Sequence, residues 1–194
     1  MKILLFDNYD SFTYNLRDLL YKVRPEATIE VMRNTDERVL SAQFDLLVVS
    51  PGPKTPRDTG LLDELMKNKV VPQRIPFFGV CLGMQYLADF SGAGIVVAKD
   101  AKHGRTATVV HNDKDVFVGV KQGFRATRYN SLEVKLNGNE PLEMLAYEEE
   151  TGMIMALRHR ELPFFAVQFH PESFLSECSL KYLDNFFKQY VENN

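Results

Sequence analysis

Pro76-Phe77-Phe78-Gly79-Val80-Cys81-Leu82-Gly83-Met84-Gln85 is the stretch that decides the fold. Its first five residues are an apolar run of strand length, and a helix-like pattern continues from Cys81 to Phe90. A strand that turns at once into a helix is the building unit of parallel sheets. The glycines two residues to either side of Cys81 leave room for a sharp, strained backbone. The turn places the thiol at a helix N-terminus, where the dipole favours thiolate over thiol. In this setting G-x-C-x-G is the sulfur counterpart of the G-x-S-x-G nucleophile elbow, and the Leu82 amide is aimed to receive an oxyanion. The plainer alternative is a buried structural cysteine flanked by turn glycines. Strand–turn–helix context favours the nucleophile. Cys178 lacks that context and reads as packing.

Working outward toward the N-terminus, the strand–helix rhythm repeats. Ile3 to Phe6 is an apolar run that ends in a polar turn, Asp7 to Ser11. A helix is expected from Phe12 to Val23, with Leu16, Leu19, Leu20 and Val23 on one face and Ser11 as N-cap. Ile29 to Met32 and Phe44 to Ser50 read as further strands, the latter stopped by Pro51-Gly52-Pro53. Asp58 to Asn68 suits a helix. The implied fold class is α/β, with an open, mostly parallel central sheet and helices on both faces.

After Gly92 the rhythm changes to short strand-like runs separated by turns rich in Gly, Asn and Asp. They are Gly94–Ala98, Thr106–His111, Asp115–Val118, Phe124–Tyr129, Leu142–Tyr147, Ile154–Leu157 and Phe164–Phe169. They predict antiparallel additions in the C-terminal half, closed by a helix from Ser179 to Tyr190. Without repeat, linker or low-complexity tract, residues 1–194 read as a single domain.

The last strand-like run leads into Phe169-His170-Pro171-Glu172-Ser173. His170 and Glu172 are two apart, so in an extended segment both side chains project to one side. A carboxylate there can hold one imidazole nitrogen and leave the other for a thiol, the Cys–His–carboxylate arrangement in outline. Alone the motif is weak. Beside the cysteine elbow it gains weight. His103, His111 and His159 lack a carboxylate at this spacing and read as structural.

Composition sets outer bounds. Hydrophobic residues at 45% and charged residues at 25% are ordinary for a globular chain. A net charge of -3 gives no electrostatic reason to expect nucleic acid. No apolar run approaches the roughly 20 residues of a membrane-spanning helix. The N-terminal apolar run is too short for a signal peptide, so a cytoplasmic location is expected. Two cysteines without C-x-x-C spacing argue against a disulfide, and histidine spacing argues against a metal site.

Val80-Cys81-Leu82-Gly83-Met84-Gln85 and Val167-Gln168-Phe169-His170-Pro171-Glu172-Ser173 resemble the two signature blocks of class I (triad) glutamine amidotransferases. Asp7-Asn8-Tyr9-Asp10-Ser11-Phe12-Thr13-Tyr14-Asn15-Leu16 is similar to the opening of the glutaminase subunits of anthranilate synthase and aminodeoxychorismate synthase. Ser50-Pro51-Gly52-Pro53, His103-Gly104-Arg105 and Arg128-Tyr129-Asn130-Ser131-Leu132 point the same way. The resemblance implies Cys81 as nucleophile, His170 as base and acid, and Glu172 as orienter. It implies that Gly52 shares oxyanion binding with Leu82, and that Gln85, Ser131 and Leu132 hold the α-amino and α-carboxylate end of glutamine. It implies no cofactor and no metal. It implies an ammonia-using partner, a chorismate-binding synthase subunit (component I), and neither nucleic acid nor membrane. Anthranilate for tryptophan is the first expectation, and aminodeoxychorismate for folate the alternative. The chain departs from the commonest pattern at Met84 and Asn130, where histidines are usual, and at Lys54, where glycine often follows P-G-P. A stand-alone thiol hydrolase or γ-glutamyl hydrolase would share Cys and His but would act without a partner. A non-catalytic binding module would lack a triad member.

Overall fold

Alternate residues of the apolar strands face opposite helical layers, which is why those strands read as continuous apolar runs rather than as alternating ones. A computed structural model describes residues 1–192. In chain order the first half comprises β1 (Lys2–Asp7), α1 (Thr13–Val23), β2 (Thr28–Arg33), α2 (Arg38–Ser41), β3 (Leu46–Val49), α3 (Leu62–Leu65), β4 (Phe77–Val80) and α4 (Leu82–Phe90). There follow β5 (Gly94–Val97), β6 (Arg105–His111), β7 (Phe124–Arg128), β8 (Leu132–Lys135), β9 (Leu142–Glu148), β10 (Ile154–His159), β11 (Phe164–Val167) and α5 (Ser179–Phe186).

The main sheet has nine strands in the order β2-β1-β3-β4-β11-β10-β9-β6-β7. From β2 to β11 every neighbour is parallel. From β11 onward every pairing is antiparallel. β5 and β8 form a separate antiparallel pair. This is the expected α/β sheet, with its antiparallel part in the C-terminal half.

Ile3, Leu5, Leu46, Val48, Phe78 and Val80 pack on the α1 and α5 side, with Leu16, Leu20, Leu183 and Phe186. Leu4, Phe6, Leu47, Val49 and Phe77 pack on the other side, with Leu62, Leu65 and Leu87. Each fully buried side chain of this size contributes about 1.5–3 kcal/mol relative to exposure. Phe78 and Phe165 sit opposite each other in the β4–β11 register and stack with ring centroids 5.9 Å apart. The two strands that carry the site are thereby clamped together.

Several local expectations are corrected. Ser11 does not cap α1. The chain enters the helix through Phe12, and the turn is held by acids: Asp10 Oδ2 accepts the Phe12 N–H at 3.0 Å, and Asp7 Oδ1 accepts the Thr13 hydroxyl at 2.7 Å. The expected helix over Asp58–Asn68 is broken. Thr55 and Asp58 form a capping box on a short 3-10 turn. Gly60 then takes a positive φ of 58°. Regular α-helix is limited to α3, and Met66–Val70 continues as a wider π turn. The final helix likewise widens into a π turn at Phe187–Val191. Asp115–Val118 is not a strand. Asp115 has φ 57° and opens a 3-10 turn, its carboxylate taking up Arg158 at 2.6 Å and the Tyr190 hydroxyl at 2.9 Å. α2 and β8 were not anticipated.

Candidate active site

The strand order reverses direction between β1 and β3, the point at which open α/β sheets form a crevice beyond the carboxyl ends of their strands. The segments leaving β1, β3, β4 and β11 carry Asn8, Ser50 to Gly52, Cys81, and Gln168 to Glu172. Residues far apart in sequence therefore meet at one edge.

Cys81 occupies the elbow, with φ 51° and ψ −99°, a conformation costly for a residue with a side chain. Three hydrogen bonds hold it there: its N–H donates to Val167 O at 2.8 Å, and its carbonyl accepts Met84 N and Gln85 N at 3.0 Å each. Glycine is demanded on both flanks by close approach. A Cβ on Gly79 would lie 2.6 Å from the Gly83 carbonyl, and one on Gly83 would lie 2.6 Å from Val49 O. The spacing G-x-C-x-G is thus a packing requirement of β3, β4 and α4.

His170 is buried. Its backbone N–H donates to Thr127 O at 2.9 Å, which ties it to β7. Its Nδ1–H donates to Glu172 Oε1 at 2.6 Å, a charge-assisted bond, and the Glu172 side chain is fully buried. The pair meets, but not through an extended strand. Beyond Val167 the ladder ends, and Ser173 N folds back on His170 O at 3.3 Å, so a turn brings the carboxylate round. Burial works against the charged ring. Cys81 and Glu172 outweigh burial and raise the imidazole pKa. Nε2 is buried and meets no hydrogen-bond partner among the described residues, with the Cys81 sulfur as its electrostatic neighbour. Tyr129 and Phe12 wall the ring, with centroids at 4.8 and 6.0 Å, both edge-on.

Gln168 was given no role from sequence, yet it touches the thiol: its Nε2 donates to Cys81 Sγ at 3.5 Å. Its Oε1 accepts Gln85 Nε2 at 3.1 Å, and Gln85 also reaches Leu132 O at 3.3 Å. The expected substrate-binding residues Gln85 and Leu132 are thus brought together near the thiol. Ser131 is exposed just before Leu132. Gln168 carries no local signal of this role, since its partners Cys81 and Gln85 lie more than eighty residues away and meet it only through the β4–β11 pairing.

Gly52 lies against the elbow. A Cβ there would be 3.0 Å from Leu82 Cδ2 and 2.6 Å from Asn8 Cβ. Asn8 locks this loop: its N–H donates to Ser50 Oγ at 2.9 Å, its Nδ2 donates to Ser50 O at 3.1 Å, and its Oδ1 accepts Asn34 Nδ2 at 3.1 Å. Among the described residues, no backbone or side-chain acceptor takes the N–H of Gly52 or of Leu82. Two free donors beside a thiol are what an oxyanion site needs.

The segment bearing Ser131 and Leu132 is anchored by a buried charge. Arg128 is fully buried. It donates to Glu148 Oε2 at 2.7 Å, to Asp100 O at 2.8 Å and to Asn130 Oδ1 at 2.9 Å. Asn130, one of the departures from the common pattern, passes this order on by donating to Leu132 O at 2.8 Å. Met84 is buried in the layer under α4. Lys54 takes a φ of 74°. Among the described residues, no group of three or more His, Cys, Asp or Glu side chains is placed to hold a metal, and no helix is long and apolar enough to cross a membrane.

The family model for class-I glutamine amidotransferases matches residues 4–190. The aminodeoxychorismate/anthranilate synthase component 2 of Bacillus subtilis is 39% identical over 191 residues, spanning 97% of this chain and 96% of that protein. The bifunctional protein TrpGD of Thermotoga maritima is 41% identical over 189 residues, 95% of this chain but only 32% of that protein, so the chain spans about a third of it. A Thermoplasma acidophilum protein described as a GMP synthase component superposes with TM-score 0.84 at 22% identity, covering 100% of this chain and 95% of that one, a likeness of fold.

Proposed function

Since the chain belongs to the class-I glutamine amidotransferases, we propose that Cys81, His170 and Glu172 release ammonia from L-glutamine for a chorismate-using synthase partner. The Cys81 thiolate attacks the side-chain amide carbon, and the N–H groups of Gly52 and Leu82 hold the resulting oxyanion. Collapse breaks the C–N bond, and imidazolium at His170 gives its proton to the departing amine. A γ-glutamyl thioester on Cys81 remains. The same imidazole then takes a proton from water, which attacks the thioester, and glutamate leaves as the thiol re-forms. Glu172 orients the ring and stabilises its cationic form. Gln85, Ser131 and Leu132 receive the amino-acid end of the substrate. The observation that carries this reading is the convergence on one sheet edge of thiol, imidazole and buried carboxylate, with two unengaged backbone donors beside them.

The partner is a component I synthase, making anthranilate in the first reading. Aminodeoxychorismate is the second, and the dual name of the Bacillus subtilis relative supports one glutaminase serving either synthase. The test is steady-state glutamine hydrolysis and chorismate conversion by the chain alone, with synthase, and with synthase plus chorismate. Cys81→Ala should abolish glutamine-dependent synthesis while the complex still uses ammonium salts, and Glu172→Gln should lower the hydrolysis rate. Equal hydrolysis under all three conditions would support a stand-alone hydrolase instead.

A further inference from the structure

The end of β11 ties the strands of the site together. Val167 O accepts the Cys81 N–H at 2.8 Å, and the Gln168 N–H donates to Met155 O on β10 at 2.9 Å. Val167 and Phe169 pack into the core on the α1 and α5 side. Alternation along an extended chain turns the side chain between them the other way, toward α4. There Gln168 is fully buried and held at both ends of its carboxamide. Its Oε1 accepts Gln85 Nε2 at 3.1 Å, and its Nε2 donates to Cys81 Sγ at 3.5 Å.

The order of donors and acceptors along this chain is forced. A backbone carbonyl can only accept, and Leu132 O takes Gln85 Nε2 at 3.3 Å. The nitrogen of Gln85 therefore faces this side, and toward Gln168 the same nitrogen requires an acceptor. Gln168 must offer its oxygen there, which leaves its N–H for the sulfur. Leu132 O is itself fixed by Asn130 Nδ2 at 2.8 Å, and Asn130 Oδ1 by the buried Arg128 guanidinium at 2.9 Å. Turning over any one of the three amides would set donor against donor or acceptor against acceptor in a buried site, which is costly. The run of oriented bonds from Arg128 thus decides that a donor, not an acceptor, meets Cys81.

We propose that Gln168 is a further catalytic residue, whose side-chain N–H holds the Cys81 sulfur whenever it carries negative charge. The inference rests on the triad reading above. Charge stands on the sulfur twice in each cycle, before attack on the amide and again when the thioester is hydrolysed. In the second case His170 takes a proton from water, and the oxygen adds to the thioester carbon. The C–S bond then breaks with its electron pair on sulfur, and glutamate leaves. The Gln168 N–H receives that thiolate, with the imidazolium beside it. In the thioester itself the sulfur is neutral. A hydrogen bond to an ionised partner is roughly twice as strong as one between neutral groups, so the donor favours the charged states. His170 must gain and lose a proton in every cycle, whereas the carboxamide stays neutral and remains a donor throughout.

The experiment compares wild type, Cys81→Ala, Gln168→Met, Gln168→Glu and Gln85→Met in complex with the synthase. Gln168→Met keeps the volume and removes the donor, and Gln168→Glu keeps the shape and sets a carboxylate oxygen against the sulfur. The readouts are kcat and KM for glutamine and the rate at which iodoacetamide alkylates Cys81, located by peptide mass spectrometry. Iodoacetamide has no amino-acid end, so it reads the thiol apart from the substrate subsite. Loss of one hydrogen bond to a charged sulfur should lower kcat and the alkylation rate about tenfold in Gln168→Met, with KM unchanged, and further in Gln168→Glu. Gln85→Met leaves residue 168 untouched but releases its carboxamide, and should slow alkylation too. Combined with Gln168→Met it should slow alkylation no further. Loss of packing alone would expose the buried sulfur and speed alkylation. That result, or wild-type kcat and alkylation in Gln168→Met, overturns the inference and leaves the triad reading intact where Cys81→Ala is inactive. Full glutamine-dependent synthesis by Cys81→Ala overturns both.

Discussion

Gly83→Ala should damage this protein although it replaces glycine by the best helix former. Gly83 is the second residue of α4, where the change would gain at most about 1 kcal/mol of helix propensity. Against that, the new Cβ would sit 2.6 Å from Val49 O and 3.1 and 3.2 Å from Val49 Cβ and Cγ1. Comfortable contact needs about 3.5 Å, so α4 and β3 must separate by roughly 0.5–1 Å. Val49 cannot yield, because β3 is hydrogen-bonded between β1 and β4. The helix must move, and overpacking of this kind costs about 1–3 kcal/mol, which exceeds the propensity gain. The motion also carries the Leu82 amide away from Gly52. If that pair forms the oxyanion site, hydrolysis should fall by about 10²–10³. Urea unfolding measures the first effect and glutamine hydrolysis in the synthase complex the second. Gly94→Ala is the control, since its Cβ meets Lys135 O only at 3.5 Å, and it should be neutral or slightly stabilising. A Gly83→Ala protein as stable and as active as wild type would refute the steric reasoning.

Arg128→Ala should destabilise by about 1.5–3 kcal/mol, because it removes charge-assisted bonds to Glu148, Asn130 and the Asp100 carbonyl while Lys102 and Thr151 still hold the Glu148 carboxylate, and urea denaturation reads this directly. His170 is expected to titrate above its usual range in wild type and lower in Cys81→Ala, followed by NMR of the ring. A raised folded pKa means that the ring's contribution to stability is complete below about pH 6.5 and is lost as pH rises through the folded value, so the alkaline loss should be smaller in Cys81→Ala. Lys54→Gly should stabilise by about 1 kcal/mol by relieving a positive φ at an exposed position, a shift that thermal melting would detect.

The parallel half of the fold was legible because burial on both faces writes itself into Ile3–Phe6, Leu46–Val49 and Pro76–Val80 as unbroken apolar runs. The antiparallel half was harder. β8 carries Glu133 and Lys135 and pairs only with β5 in a small separate sheet, so its pattern lacks a strong apolar signature. Asp115–Val118 looks extended by composition, but the Asp115 side chain bonds its own neighbour's N–H at 2.8 Å and folds the segment. At the site, Cys81, His170 and Glu172 were readable from local motifs. Arg128 and Gln168 were not assigned their places, because their partners at Glu148, Asp100 and Gln85 lie far off in sequence and only the sheet order brings them near. The wall formed by Phe12 and Tyr129 around the imidazole arises in the same way.

The position of β11 carries a consequence for biosynthesis. This strand, made late, lies between β4 and β10 at the middle of the sheet. Until it emerges, β4 presents an unpaired, fully apolar edge, and the thiol of Cys81 stands without its imidazole. At about 5–20 residues per second, a ribosome needs on the order of ten seconds to travel from Val80 to Val167. During that interval the nascent chain is at its most vulnerable to pairing with another chain. On the proposed triad it also lacks the imidazole that its chemistry requires. Truncated or stalled products, however well their first half folds, should therefore be prone to clump and, on the proposed triad, inert toward substrate until the last central strand slots in.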